Sequence, residues 1–204
     1  MSIRYLVCFC ALLLAGSVAA SAESPGMTVT TPDGASQDFE QDSAALEFLE
    51  AALRRQEEGR FTLTIHPIAV SSEGPGSVVL DKKGSGVFFL APSSTEERTV
   101  EGALAELRVV SARRRYHACC NALKNYATAL EIWSTDHRDT YPRRLSELSS
   151  TYMKTTMTCP AGGTPYHYTT SGKAYEITCS GDHSALKIRK GRPAWTSREG
   201  LLKD

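Results

Sequence analysis

The chain has 204 residues, 23 Lys and Arg against 23 Asp and Glu, and a hydrophobic share of 41%. That balance excludes the basic excess with which nucleic-acid binders meet phosphate, and the apolar share is sufficient for a core. The length fits one domain or two small ones packed together, and no internal repeat is visible.

The first expected element is a secretory leader over residues 1–22. Arg4 supplies a positive charge, and Tyr5 to Ala15 is apolar almost throughout. Gly16 and Ser17 break that run, and Ala20 and Ala22 are small enough for a signal peptidase, which favours cleavage after Ala22, with Ala20 as the alternative. The run is shorter than the roughly 20 apolar residues of a membrane span. Cys8 and Cys10 sit inside it, not after a small-residue pair at its end, so a lipid anchor is not expected. Cleavage removes Arg4 and no acid, which leaves 22 basic and 23 acidic side chains and no later transmembrane anchor. The expected location is periplasmic or extracellular.

Residues 23–93 read as a small α+β unit. Met27 to Thr31 suits a short strand, and the polar, Gly- and Pro-containing stretch to residue 41 reads as loop. Ala45, Leu46, Leu49, Ala52 and Leu53 recur at helical spacing behind Asp42, a candidate N-cap, with Gly59 as the expected stop. Phe61 to Ile65 alternates apolar and polar, and Pro67 marks an edge or bend. Ser77–Leu80 and Gly86–Leu90 are further strands, joined by a turn at Asp81–Ser85.

Residues 94–186 read as a long helix followed by a hairpin module. Ser94 and Glu97 have the spacing of a capping box, and helical character runs to Thr135. One apolar stripe is Val100, Ala103, Leu104, Leu107 and Val110; a second is Tyr116, Cys119 or Cys120, Leu123, Ala127, Leu130 and Trp133. The Arg113–Arg115 run separates them, so either a helix of about 60 Å or a break near Ser111 to Arg115 is expected. Tyr166–Thr170 and Lys173–Cys179 about Ser171-Gly172 make the clearest hairpin. Residues 187–204, with Lys187, Arg189, Lys190 and Arg192, read as a mobile basic tail with Trp195 as a docking point. The fold class is therefore α+β.

Four cysteines follow the leader: Cys119, Cys120, Cys159 and Cys179. In an oxidising compartment an even count points to bridges. A vicinal Cys119–Cys120 bridge is set aside because helical geometry would strain it, and both other full pairings stay open. The favoured single bridge is Cys159–Cys179, whose loop would contribute about 3 kcal/mol. No cofactor or metal is expected. His117, His167 and His183 accompany the cysteines, but no pair has the CxxC or HxxxH spacing of a zinc site, and Cys119 and Cys120 point about 100° apart on a helix. Asp136 and Asp139 are the candidate calcium ligands, with solvated or capping acids the preferred reading. No GxSxG elbow or matched Ser, His and Asp marks a hydrolase. A recognition surface is sought at Tyr166, Tyr168, Tyr175, Asp182 and His183, where the tyrosines otherwise cover the long helix.

Cys119–Asp136, Tyr141-Pro142 with Leu145 and Leu148, Thr158-Cys159-Pro160 and the tyrosine-rich hairpin to Cys179 together resemble the globular region of pseudopilin-like proteins, the family that includes the major pseudopilins of type II secretion, and look closest to exported bacterial proteins that carry this block without a pilin leader. The resemblance covers about a third of the chain. It implies a helix laid across a small antiparallel sheet. It does not extend to the family's apolar N-terminal filament helix, because Glu96, Glu97, Arg98, Glu101, Glu106, Arg108 and Arg113–Arg115 charge the segment before Cys119. The family's calcium loop is not recognisable either. These readings together favour an exported, non-enzymatic binding or structural module whose partner is another envelope protein or surface component. A secretion- or pilus-apparatus component is the alternative, and an extracytoplasmic enzyme of unrecognised type the third.

Overall fold

A computed structural model describes residues 26–56, 58–66, 76–89 and 97–203. The leader, the continuation of the strand past Pro67 and the Ser94 side of the capping box lie outside them. The α+β reading holds. The described chain builds two antiparallel sheets against one shared helix.

The first sheet follows from alternation. β1 (Met27–Thr30) buries Met27 and Val29, and β3 (Glu58–Ile65) buries Phe61, Leu63 and Ile65. Their register sets Met27 beside Ile65 and Val29 beside Leu63, so one face is apolar throughout. β2 (Ser36–Phe39), in the stretch read as loop, pairs with β1 and closes that edge. It escapes an apolar pattern because its first three residues are exposed. β4 (Gly76–Lys83), β5 (Gly86–Phe89) and the two-residue β6 (Glu97–Arg98) complete the order β2-β1-β3-β4-β5-β6. Glu97 thus lies in a strand and not in a helical capping box.

Helix α1 (Asp42–Arg55) lays Ala45, Leu46, Leu49 and Leu53 on this sheet. Its N-cap is Gln41, which makes no side-chain cap bond, and it ends at Gln56, before Gly59. Asp42, expected as the cap, is the first helical residue and turns toward the second helix.

That helix, α2 (Val100–Asp136), is one continuous element of 37 residues, or about 55 Å. Thr99 caps it by accepting the Gly102 amide at 3.1 Å. Its first turns give Val100, Ala103, Leu104 and Leu107 to the first core. Val110, expected in that stripe, is 38% exposed. The core boundary therefore falls inside α2 and not at residue 93.

Where the sequence allowed a break, the helix continues because its arginines have partners. Ser111 donates a hydrogen bond to the Asp42 carboxylate, and Arg114 donates to the His66 carbonyl. Arg114 Nη1 is 4.0 Å and Arg115 Nε 3.7 Å from Asp42, with the Arg114 and Asp42 side chains only 9% and 10% exposed.

The second sheet, order β10-β9-β8-β7, crosses the far half of α2. Its strands are β7 (His167–Thr170), β8 (Tyr175–Thr178), β9 (Ala194–Thr196) and β10 (Gly200–Leu202). A 3₁₀ turn at Leu145–Leu148 drops Leu148 into the core beside Leu123, Tyr126 and Leu130. The residues expected as a mobile tail form β9 and β10. Ala194 is fully buried, Trp195 and Leu201 pack on the second core, and Tyr116 donates to the Lys203 carbonyl at 3.1 Å. Their basic residues, which suggested mobility, precede β9 and do not belong to it.

Replacing Arg114 by Met removes the more deeply buried of the two guanidinium groups beside Asp42, together with the donor to the His66 carbonyl. Loss of one partner of a buried pair costs about 3–5 kcal/mol, so the R114M urea midpoint should fall accordingly, whereas R113M, on the exposed side of the helix, should stay near wild type.

Candidate functional site

The second core contains one cluster of reactive side chains. Cys119 enters from α2, Cys159 from the loop that follows the 3₁₀ turn, Cys179 from the residue just past β8, and His183 from the turn after it. Three separated stretches thus meet at one point, the last supplying both Cys179 and His183, four residues apart. Helix periodicity explains why Cys119 and not Cys120 takes part. Cys119 shares the inward face with Ala122, Leu123 and Tyr126, while Cys120, one position on, is buried outside the cluster.

The geometry is tight. Cys159 Sγ lies 3.2 Å from Cys119 Sγ and 3.3 Å from Cys179 Sγ; Cys119 and Cys179 are 3.7 Å apart. His183 Nε2 is 3.3 Å from Cys179 Sγ. All four ligand atoms lie within 4.8 Å of one another. Every member is nearly closed to solvent, at 4% exposure or less.

The backbone serves the sulfurs. Ala161 N–H points at Cys159 Sγ and Gly181 N–H at Cys179 Sγ, each at 3.4 Å. Both amides sit two residues past their cysteine. The first turn is tightened by Gly162 and Gly163, which donate to the Cys159 carbonyl at 3.1 and 2.7 Å. Gly181 is needed for its size: a Cβ there would lie 2.2 Å from Cys159 Sγ. Tyr166, 5% exposed, stands beside Cys119, and its hydroxyl has no hydrogen-bond partner in the conventional sense. Burial, and then the neighbouring sulfur, push its phenol well above the usual range, so it keeps its proton.

The three thiols share protons unevenly. Cys159, which accepts from Cys119 and Cys179, is held far below the usual thiol range, whereas its hydrogen bonds to Cys159 and Cys179 push Cys119 up. The Cys120 thiol is raised by burial alone among the larger influences.

The expected Cys159–Cys179 bridge is not formed: 3.3 Å is a contact, against about 2.05 Å for a bond, and all four described cysteines are free. The physical reason is convergence. A third sulfur and an imidazole stand equally close, and none of the three cysteines has a unique partner.

Of the other expected site residues, Tyr166 borders the cluster and the rest are engaged elsewhere. Tyr166 packs edge-on against Tyr126 at 5.7 Å; Tyr168 donates to the Pro142 carbonyl at 2.8 Å. Tyr175 is buried and reaches Glu131 at 3.2 Å. The hairpin tyrosines therefore cover the helix. Asp182 is exposed and accepts the Ser184 amide at 2.8 Å, which lowers its carboxyl. Asp136 accepts from Tyr152 at 3.0 Å, and among the described residues neither it nor Asp139 belongs to a convergent ligand group.

Sequence spacing missed the cluster because no two of its cysteines come from one local motif. The readable trace was subtler: Cys159-Pro160-Ala161-Gly162-Gly163 and Cys179-Ser180-Gly181 are both cysteines opening a glycine-containing turn. Compared with known proteins, the chain matches no family model, no curated protein and no solved structure.

G181A should lose about 1–3 kcal/mol of stability by overpacking against Cys159, read by chemical denaturation, while G76A, where a Cβ meets open space and the backbone is not left-handed, should stay near wild type.

Proposed function

We propose that the chain is an exported, non-enzymatic structural or binding module of the bacterial cell envelope. The closure of the one convergent cluster of reactive side chains among the described residues carries this reading. A catalytic centre keeps an open position for substrate or water, whereas Cys119, Cys159, Cys179 and His183 fill theirs with one another. The cleft of about 620 Å³ between Glu40–Ser43 and Thr158–Gly163 passes the cluster, yet its Cys159 is fully buried and its Asp42 is engaged by Ser111 and the arginines. Among the described residues no helix is long and apolar enough to cross a membrane. The leader supplies the address, and the expected partner is another protein or component of the cell surface.

A second reading, a component of a secretion or pilus-like apparatus, is favoured by the far half of α2 lying across a four-stranded antiparallel sheet. Against it stands the near half of α2, which is committed to the first core.

The full chain expressed in a Gram-negative host should reach the periplasm or medium with an intact mass that begins at Glu23. A cytoplasmic product that retains residues 1–22 overturns the exported reading. Co-purification with secretion machinery would move the weight to the second.

A further inference from the structure

We propose that Cys119, Cys159, Cys179 and His183 form a structural Cys₃His site for zinc, with Tyr166 as its outer hydrogen-bond donor.

The donor set selects the metal class. Three sulfurs and one imidazole nitrogen are soft or borderline ligands; calcium and magnesium require oxygens. The number and closure of the ligands select the type of site, because four protein ligands without an open position are the pattern of structural zinc. Spacing agrees. A tetrahedral ion with Zn–S near 2.3 Å holds its sulfurs about 3.8 Å apart. The observed 3.2, 3.3 and 3.7 Å require the cluster to open by only about half an ångström. His183 already presents Nε2 to the sulfurs.

Independent features are aimed at sulfur as an anion. Two backbone amides, those of Ala161 and Gly181, point at Cys159 and Cys179. Tyr166, nine-tenths buried and otherwise unpartnered, brings a hydroxyl to Cys119. Zn²⁺ displaces the remaining thiol protons, which leave to solvent, and the resulting centre carries one net negative charge. Three donors, one for each sulfur, match that charge. Such outer contacts commonly tune metal affinity.

A disulfide fits the same atoms less well. Any bridge among three cysteines leaves one thiol and His183 buried beside it. It also leaves at least one of these three donors facing a neutral, weak acceptor. The fourth cysteine cannot absorb the remainder, since Cys120 lies outside the cluster.

The test uses the full-length chain, purified without chelator. Elemental analysis should find one zinc per chain, and intact mass under denaturing conditions should show unbridged cysteines. Exchange with cobalt(II) should produce intense visible bands of a tetrahedral site and sulfur-to-metal charge transfer. C120S should retain full stoichiometry. Y166F, which removes one oxygen and leaves the ring in its packing, should stay folded and bind zinc about 10–100-fold more weakly in competition with a chromophoric chelator. A folded chain without metal and lighter by the two hydrogens of a bridge overturns the site. Stoichiometric iron or copper overturns the zinc assignment. Unchanged affinity in Y166F overturns the role given to the tyrosine. Export is read from the N-terminus and the cell fraction, so either proposal can fail without the other.

Discussion

The molecule depends on a buried charge halfway along α2. A 37-residue helix with Arg114 and Arg115 turned inward at its middle would be destabilised there if those two side chains had only an apolar interior to enter. Asp42 prevents this. It belongs to the first turn of α1, and it receives Ser111, Arg114 and Arg115 from α2. The guanidinium of Arg114 also reaches the carbonyl of His66, at the end of β3. One carboxylate thus fixes the angle of both helices to the first sheet and lets the second half of α2 emerge with a defined direction. By comparison, the surface network of Glu50, Arg54, Glu101 and Arg108 spans the same two helices in solvent, where such pairs contribute little.

The second unit is constrained differently. Its core is small and rich in tyrosine, and its sheet is made of strands of three or four residues. Hydrophobic area alone gives such a unit little margin. It compensates by joining at one point the helix, a distant loop, and the end of β8 with the turn that follows it. Whatever occupies the centre, these attachments decide whether the hairpin stays on the helix. The tyrosines finish the work around it, as Tyr126 accepts the Met157 amide at 2.8 Å and donates to its carbonyl at 3.0 Å.

Much of this fold was legible in the residues. The stripe of α1, the alternation of β3, the hairpin at Ser171-Gly172 and both faces of α2 are periodic signals, and each describes a surface that must be buried. β2 was hidden because it lies at the sheet edge and buries almost nothing. β9 and β10 were hidden because three-residue strands carry no period and follow a basic stretch. The centre was hidden for a third reason: its only local pair is Cys179 and His183, four residues apart, and Cys119 and Cys159 come from distant segments. Bridge counting led to Cys159 and Cys179, two of the right residues, but it pairs sulfurs, and pairing has no place for His183. Only a fold that brings β8 against α2 shows that the correct grouping is four.

The closing strands also decide when this molecule can exist. The first core draws its residues from 27 to 107, so it is complete once the start of α2 is available. The second begins at Cys119 but needs His183, and then Ala194 to Leu202, before its sheet has four strands. The latter half of α2 therefore keeps its apolar face uncovered until Ala194 to Leu202 have been added. The two cores thus close on different parts of the chain, and β9 and β10 are what complete the cover of the second.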